Sequence, residues 1–166
     1  MRLRPYRPSD YEYIEKWFTD RRAHALWCAG RMEYPVTKDN FHTAMAHNAA
    51  ERGECGFVLS YKDGLPAGFC MFSINDHDNS GFVRMIIVDD SKRGHGLGGK
   101  MLSKLLQYAR DIAEVSAVRL VVFDANPSAR KCYEKAGFSI ESTTSERFEF
   151  DDESWERTVM AVRFDD

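Results

Sequence analysis

The sequence predicts an α/β chain with a mixed, largely antiparallel sheet, one parallel β-α-β crossover, and flanking helices. Three observations predict it. From Gly81 onward an apolar, β-branched run (Phe82, Val83, Met85, Ile86, Ile87, Val88) crosses the polar turn Asp89–Lys92 into a glycine loop, Arg93–Gly99. Met101, Leu102, Leu105, Leu106, Ala109, Ile112 and Ala113 then fall on one helical face, and Val118–Phe123 is a second buried strand. A helix joining two strands of one sheet makes them parallel. On either side lie two hairpin patterns, which make the remaining strands antiparallel. Cys55–Tyr61 and Leu65–Ile74 flank Lys62-Asp63-Gly64; Phe138–Phe150 and Trp155–Phe164 alternate apolar and polar residues about Asp151–Ser154.

Taken in order, Arg2–Tyr6 is a first strand stopped by Pro8. Ser9 and Asp10 stand where a helix N-cap belongs, ahead of apolar Tyr13, Ile14, Trp17 and Phe18, and Arg21–Trp27 forms a second helical piece. Cys28–Val36 is a loop marked by Gly30 and Pro35. Thr37 caps a helix running to about Arg52, with Phe41, Met45 and Ala49 on one face. Asn75–Ser80 is a polar turn into the strand before the glycine loop. Asn126 and Pro127 suit the N-cap and N1 of a short helix that Gly137 ends.

No linker, repeat or low-complexity segment interrupts the 166 residues, so residues 1–166 are expected to form one domain, burying about 70% of the unfolded surface. The net charge of −3 argues against a general nucleic-acid binder. The start carries no apolar signal core and no run is long enough to span a bilayer. Cys28, Cys55, Cys70 and Cys132 have no C-x-x-C spacing, which predicts reduced thiols and a cytoplasmic location. The five His are scattered, so no metal site is expected.

The glycine loop carries the chemistry. Strand, glycine loop and helix start present bare backbone N–H groups at the positive end of a helix, a site suited to phosphate. Gly94, Gly96 and Gly99 fit the dinucleotide pattern G-x-G-x-x-G, with Asp124 as a ribose acid, but too few strand–helix units follow. Gly94, Gly99 and Lys100 fit a P-loop, but Met101 stands where a hydroxyl should hold magnesium. A ligand-free turn would not need four glycines in six residues. The remaining pattern is Arg93-x-x-Gly96-x-Gly98. With Asn126-Pro127-Ser128-Ala129-Arg130-Lys131-Cys132-Tyr133-Glu134-Lys135-Ala136-Gly137-Phe138 downstream, it resembles the two cofactor motifs of the GNAT superfamily of N-acetyltransferases.

That resemblance implies acetyl-CoA as cosubstrate and a primary amine, on a small molecule, peptide or protein, as acceptor. It places the pyrophosphate on Arg93, Gly94, His95, Gly96, Leu97, Gly98 and Gly99, and the pantetheine along Ile86, Ile87 and Val88. Asn126 and Arg130 fall beside the cofactor. Tyr133 falls on the general acid, and a phenol of pKa near 10 can protonate a departing thiolate. The acceptor's base has no clear owner. The resemblance implies a carboxylate on the strand before the loop, and Arg84 stands there instead. Asp89 is the nearest acid; Glu33, Asp76 and His77 are further candidates. The acidic stretch Glu141–Glu153 reads either as a solvated hairpin or as an attraction for a cationic acceptor; Trp27, Tyr34 and Trp155 either assist as exposed aromatics or, the favoured reading, pack in the core. A chain that binds acyl-CoA without turnover, as a sensor or interaction module, is the alternative. The family resemblance allows a monomer or a homodimer.

Overall fold

The computed structural model describes residues 1–18 and 20–164. One seven-stranded sheet runs through it in the order β1-β2-β3-β4-β5-β7-β6, and only β4 and β5 are parallel. The strands are β1 (Arg2–Pro5), β2 (Cys55–Ser60), β3 (Pro66–Asn75), β4 (Ser80–Val88), β5 (Ala117–Phe123), β6 (Ser139–Phe150) and β7 (Glu153–Arg163). The helices are α1 (Tyr11–Ile14), α2 (Arg21–Cys28), α3 (Lys38–Arg52), α4 (Leu97–Asp111) and α5 (Pro127–Lys135). Both expected hairpins and the crossover are present. Among the described residues no helix is long and apolar enough to cross a membrane.

The sheet has a core on each face. Under α4 and α5, Leu97, Met101, Leu102 and Leu105 pack on Val83, Val118, Leu120 and Met160. Each such side chain, buried, contributes about 1.5–3 kcal/mol of transfer free energy. On the other face Tyr11, Ile14, Trp17 and Phe41 of the N-terminal helices cover Val58, Phe69, Met71, Met85 and Ile87. α3 is set by a reciprocal cap: Thr37 Oγ1 accepts from Asn40 N, and Asn40 Oδ1 accepts from Thr37 N.

Two expectations about individual residues change. Asp10 does not cap α1 with its side chain. It is buried, accepts the Arg7 amide, and takes both terminal guanidinium nitrogens of Arg4 at 2.8 Å, a bidentate pair that ties α1 to β1. Ile112 is the helix C-cap and is 70% exposed, because α4 ends at Asp111, two residues before the apolar stripe does. Trp155 takes the core reading, in a small cluster with Phe123, Phe148 and Phe150.

β4 and β5 pair only at their beginnings: Ser80 with Ala117, Gly81 with Val118, Phe82 with Arg119. At this tight point a Cβ on Gly81 would come within 2.5 Å of the Phe72 ring. Beyond it the strands part. β5 goes on pairing with β7 along its whole length, whereas Val83–Val88 of β4 have no β5 partner. A bulge helps to turn β4 away. The β3–β4 register slips between Phe69–Ile87 and Met71–Arg84, and Met85 has φ of 52°. The bulge also inverts the side-chain alternation. Val83 packs under α4, but Met85 and Ile87 pack under the N-terminal helices, and Ile86 and Val88 return to the α4 side.

Candidate active site

The parting of β4 and β5 opens a cleft of 1180 Å³ through the sheet. Val83–Val88 form one wall, the glycine loop and α4 a second, and α5 a third; Trp17, Phe18, Ala23, Leu26 and Trp27 close the end on the N-terminal side.

The loop is built to receive an anion. Asp89 opens it by accepting the Ser91 amide and hydroxyl, which winds Asp90–Lys92 into a 3-10 turn. Gly94 and Gly96 then adopt φ of 81° and 74°, a region where a side chain would be strained, and Gly96 becomes the N-cap of α4. Lys100 N closes the first helical bond onto Gly96 O. The amides of Gly94, Gly96, Leu97, Gly98 and Gly99 have no acceptor among the described residues. These are the orphan donors of a helix N-terminus, aimed where the macrodipole is positive.

Side chains add to that field. Lys92 and Arg93 beside the loop, Arg110 in the last turn of α4, Lys131 and Lys135 on α5, and Arg84 on β4 all line the cleft, with Arg93 paired to Asp90 at 2.7 Å. Among the described residues the lining contains no Asp, Glu or His. Coenzyme A fits such a cleft: orphan amides and lysines suit its phosphates, and the unpaired edge of β4 suits the amides of its pantetheine arm.

The residues expected at the site sort into two groups. Ile86, Ile87, Val88, Arg93, Gly94, Gly96, Leu97, Gly98, Gly99, Asn126 and Tyr133 all line the cleft. His95, Arg130 and Asp89 do not. His95 Nδ1 turns back on the carbonyls of Lys92 and Arg93, Arg130 pairs with Glu134 one turn along α5, and the Asp89 carboxylate is engaged by Ser91. Glu33, Asp76 and His77 are also absent from the lining. Asn126 caps α5 through a 3.1 Å bond from Ala129 N while bordering the cleft.

Missed by the sequence reading were Ser103, Gln107 and Arg110 on α4, and Ser128, Lys131 and Lys135 on α5. A signal for them existed. Ser103, Leu106, Gln107 and Arg110 are spaced i, i+3, i+4, i+7, as are Ser128, Lys131, Cys132 and Lys135, so each helix turns one stripe to the cleft.

Tyr133 is buried, and burial raises its pKa well above the usual 10. Its hydroxyl makes no hydrogen bond among the described residues, and the phenol is neutral at physiological pH. Burial also raises the pKa of its neighbour Cys132. A thiol so held is protonated and a poor nucleophile. Arg84, where an acid was expected, donates through Nη1 to Glu54 Oε1 at 2.6 Å and to Ser73 Oγ at 3.2 Å, and its guanidinium lies 3.9 Å from the centroid of Phe82. Three of the six carboxylates of the acidic hairpin are ion-paired. Arg21 holds Asp151, Arg22 holds Glu153, and Arg119 and Arg163 hold Glu141.

The profile of the Acetyltransferase (GNAT) family matches residues 22–138. The chain belongs to that family. A spermine/spermidine N(1)-acetyltransferase of Bacillus subtilis is 30% identical over 96 residues, which is 52% of this chain and 63% of the relative. The match therefore spans less than two thirds of that relative's length. The spermidine N-acetyltransferase of Vibrio cholerae, solved with CoA and spermine, superposes with a TM-score of 0.81 at 22% identity, over 97% of this chain and 94% of that one. A chimera of the same enzyme with its human counterpart gives 0.78 at 21% identity, covering 97% and 93%. At these identities the structural likeness concerns the fold.

Proposed function

We propose that the chain transfers the acetyl group of acetyl-CoA to an amine by direct attack within a ternary complex. One observation carries this reading: a single cleft passes the orphan amides of the loop, the unpaired edge of β4 and the Tyr133 side chain in turn. Family membership supports acetyl-CoA as the donor. The loop amides, with Lys131 and Arg93, hold the phosphates, and the pantetheine amides pair with Ile86–Val88 as an added strand. The amine nitrogen attacks the thioester carbonyl. The resulting oxyanion is met by a backbone N–H of the free β4 edge, the C–S bond breaks, and Tyr133 gives its proton to the thiolate.

Among the described residues the cleft supplies no carboxylate or imidazole to take the amine's proton, so the amine attacks in its neutral form and loses its second proton to water. Cys132, held as a thiol, argues against a covalent acyl-enzyme. The polyamines acted on by the relatives are one candidate acceptor class. The lack of a base also favours, as a second reading, a binder of acyl-CoA without turnover.

Thiol release from acetyl-CoA with an amine panel separates the two. Tyr133→Phe should lower kcat by about 10²–10⁴-fold and leave acetyl-CoA affinity within about threefold. Equal losses in both would make Tyr133 a packing residue and overturn its role as acid.

A further inference from the structure

We propose that the acceptor carries an anionic group beside its amine, a carboxylate, phosphonate or phosphinate, and that Arg84 binds that group. This rests on the acetyl-transfer reading and specifies its substrate.

The acceptor end of the cleft is walled by Trp17, Phe18, Ala23, Leu26, Trp27 and Met85. Arg84 alone brings charge to this apolar wall. Its guanidinium is fixed before any ligand arrives: Glu54 and Ser73 hold Nη1, and Phe82 supports its plane. The side chain is only 19% exposed, and that of Glu54 is fully covered. Nη2 makes no hydrogen bond among the described residues, and Nε is covered without a partner. The indole Nε1 of Trp27 is likewise a buried donor without a partner. Glu54 Oε2 is a covered acceptor without a partner, but Glu54 lies behind Arg84 and does not line the cleft, so the charged side chain that meets a ligand here is the donor Arg84.

The wider field has the same sign. Arg31 is pushed below its usual pKa first by desolvation and then by Arg84 and Arg52, with Arg157 adding to the effect and only Glu54 opposing it. A second ammonium beside Arg84 would meet like charge, offset in part by Glu54 behind it. On the acidic hairpin Glu141, Asp151 and Glu153 are held by arginines, Glu146, Glu149 and Asp152 have no ion pair among the described residues, and none of the six lines the cleft.

The test is an acceptor panel of amino carboxylates and amino phosphonates, each beside its own amide or ester, with spermidine included. Thiol release is measured together with calorimetric binding of the same compounds to the CoA-loaded protein. The best free acid should exceed its amide by at least 30-fold in kcat/KM. Arg84→Met should bring that ratio to within about threefold of one. Because Arg84→Met strands a buried Glu54, the paired variant Arg84→Met with Glu54→Gln is measured alongside. Turnover of spermidine, with free acids neither turned over nor bound, overturns the anion site and leaves acetyl transfer standing. Arg84-dependent binding of free acids with no thiol release from any amine supports the anion site and overturns acetyl transfer.

Discussion

The two ends of the cleft are built by different means. At the loop end five main-chain amides are left without an acceptor among the described residues, and their direction is set by two left-handed glycines and a helix start. At the other end the wall is made by side chains from separate stretches of chain, Trp17, Trp27 and Arg84, with Glu54 bracing Arg84 from behind. The contrast teaches how each end can vary. Backbone donors depend on a local conformation and tolerate most outward-facing side chains. A side-chain site changes character with one substitution, as an arginine in place of an acid on β4 shows.

The largest effect expected from breaking this contrast is at the loop. Gly96→Val forces a β-branched residue to a φ of 74° beside the orphan amides. Calorimetry should give an acetyl-CoA Kd at least about 100-fold weaker, with a melting temperature still well above ambient. A Kd within threefold would mean that side chains, not amides, hold the phosphates.

A second experiment concerns the missing base. With no Asp, Glu or His among the described residues of the lining, kcat/KM should rise about tenfold per pH unit up to the acceptor's own amine pKa, as the neutral amine becomes abundant. Tyr133 keeps its proton because its pKa is raised, so no alkaline fall should set in below about pH 10. A bend near pH 6.5 that does not move with the acceptor would reveal a histidine base.

The smallest effect concerns α2, which carries Ala23, Leu26 and Trp27 of the acceptor wall and is braced by Arg22 on Glu153. Hydrogen bonds from Arg22 and Trp155 hold the Glu153 carboxyl at about 2, below the ordinary 4.5. A depressed carboxylate stabilises the fold above pH 4.5, and that contribution is lost as pH falls toward 2. Glu153→Gln should shallow the loss of melting temperature over that window. It should raise the acceptor KM about twofold while leaving acetyl-CoA affinity unchanged. An equal shift in both would mean that α2 does not serve the acceptor end alone.

Much of this could be read from the chain because its signals are short-range. Period-two and period-3.6 patterns placed the strands and the longer helices, and the hairpin turns fixed most pairings. The loop was legible because Gly94, Gly96 and the start of α4 are neighbours in sequence. Tyr133 and Asn126 were found through a contiguous motif. Asp89, His95 and Arg130 sit in or beside those motifs, yet their side chains turn to Ser91, to loop carbonyls and to Glu134. A pattern of residue types does not specify a rotamer.

By itself, then, the sequence determined the order and kind of the elements and the place of the glycine loop. These follow from hydrophobic periodicity and backbone conformation, both local properties. The tertiary structure alone decided that β4 leaves β5 after three paired residues, that the bulge at Met85 sends Met85 and Ile87 to the N-terminal side, and that Arg84 meets Glu54 from 30 positions away. It also decided that Glu141, Asp151 and Glu153 of the acidic hairpin pair with arginines of α2, β5 and β7. Charge and reach in space depend on which distant residues pack together, and no local pattern encodes that.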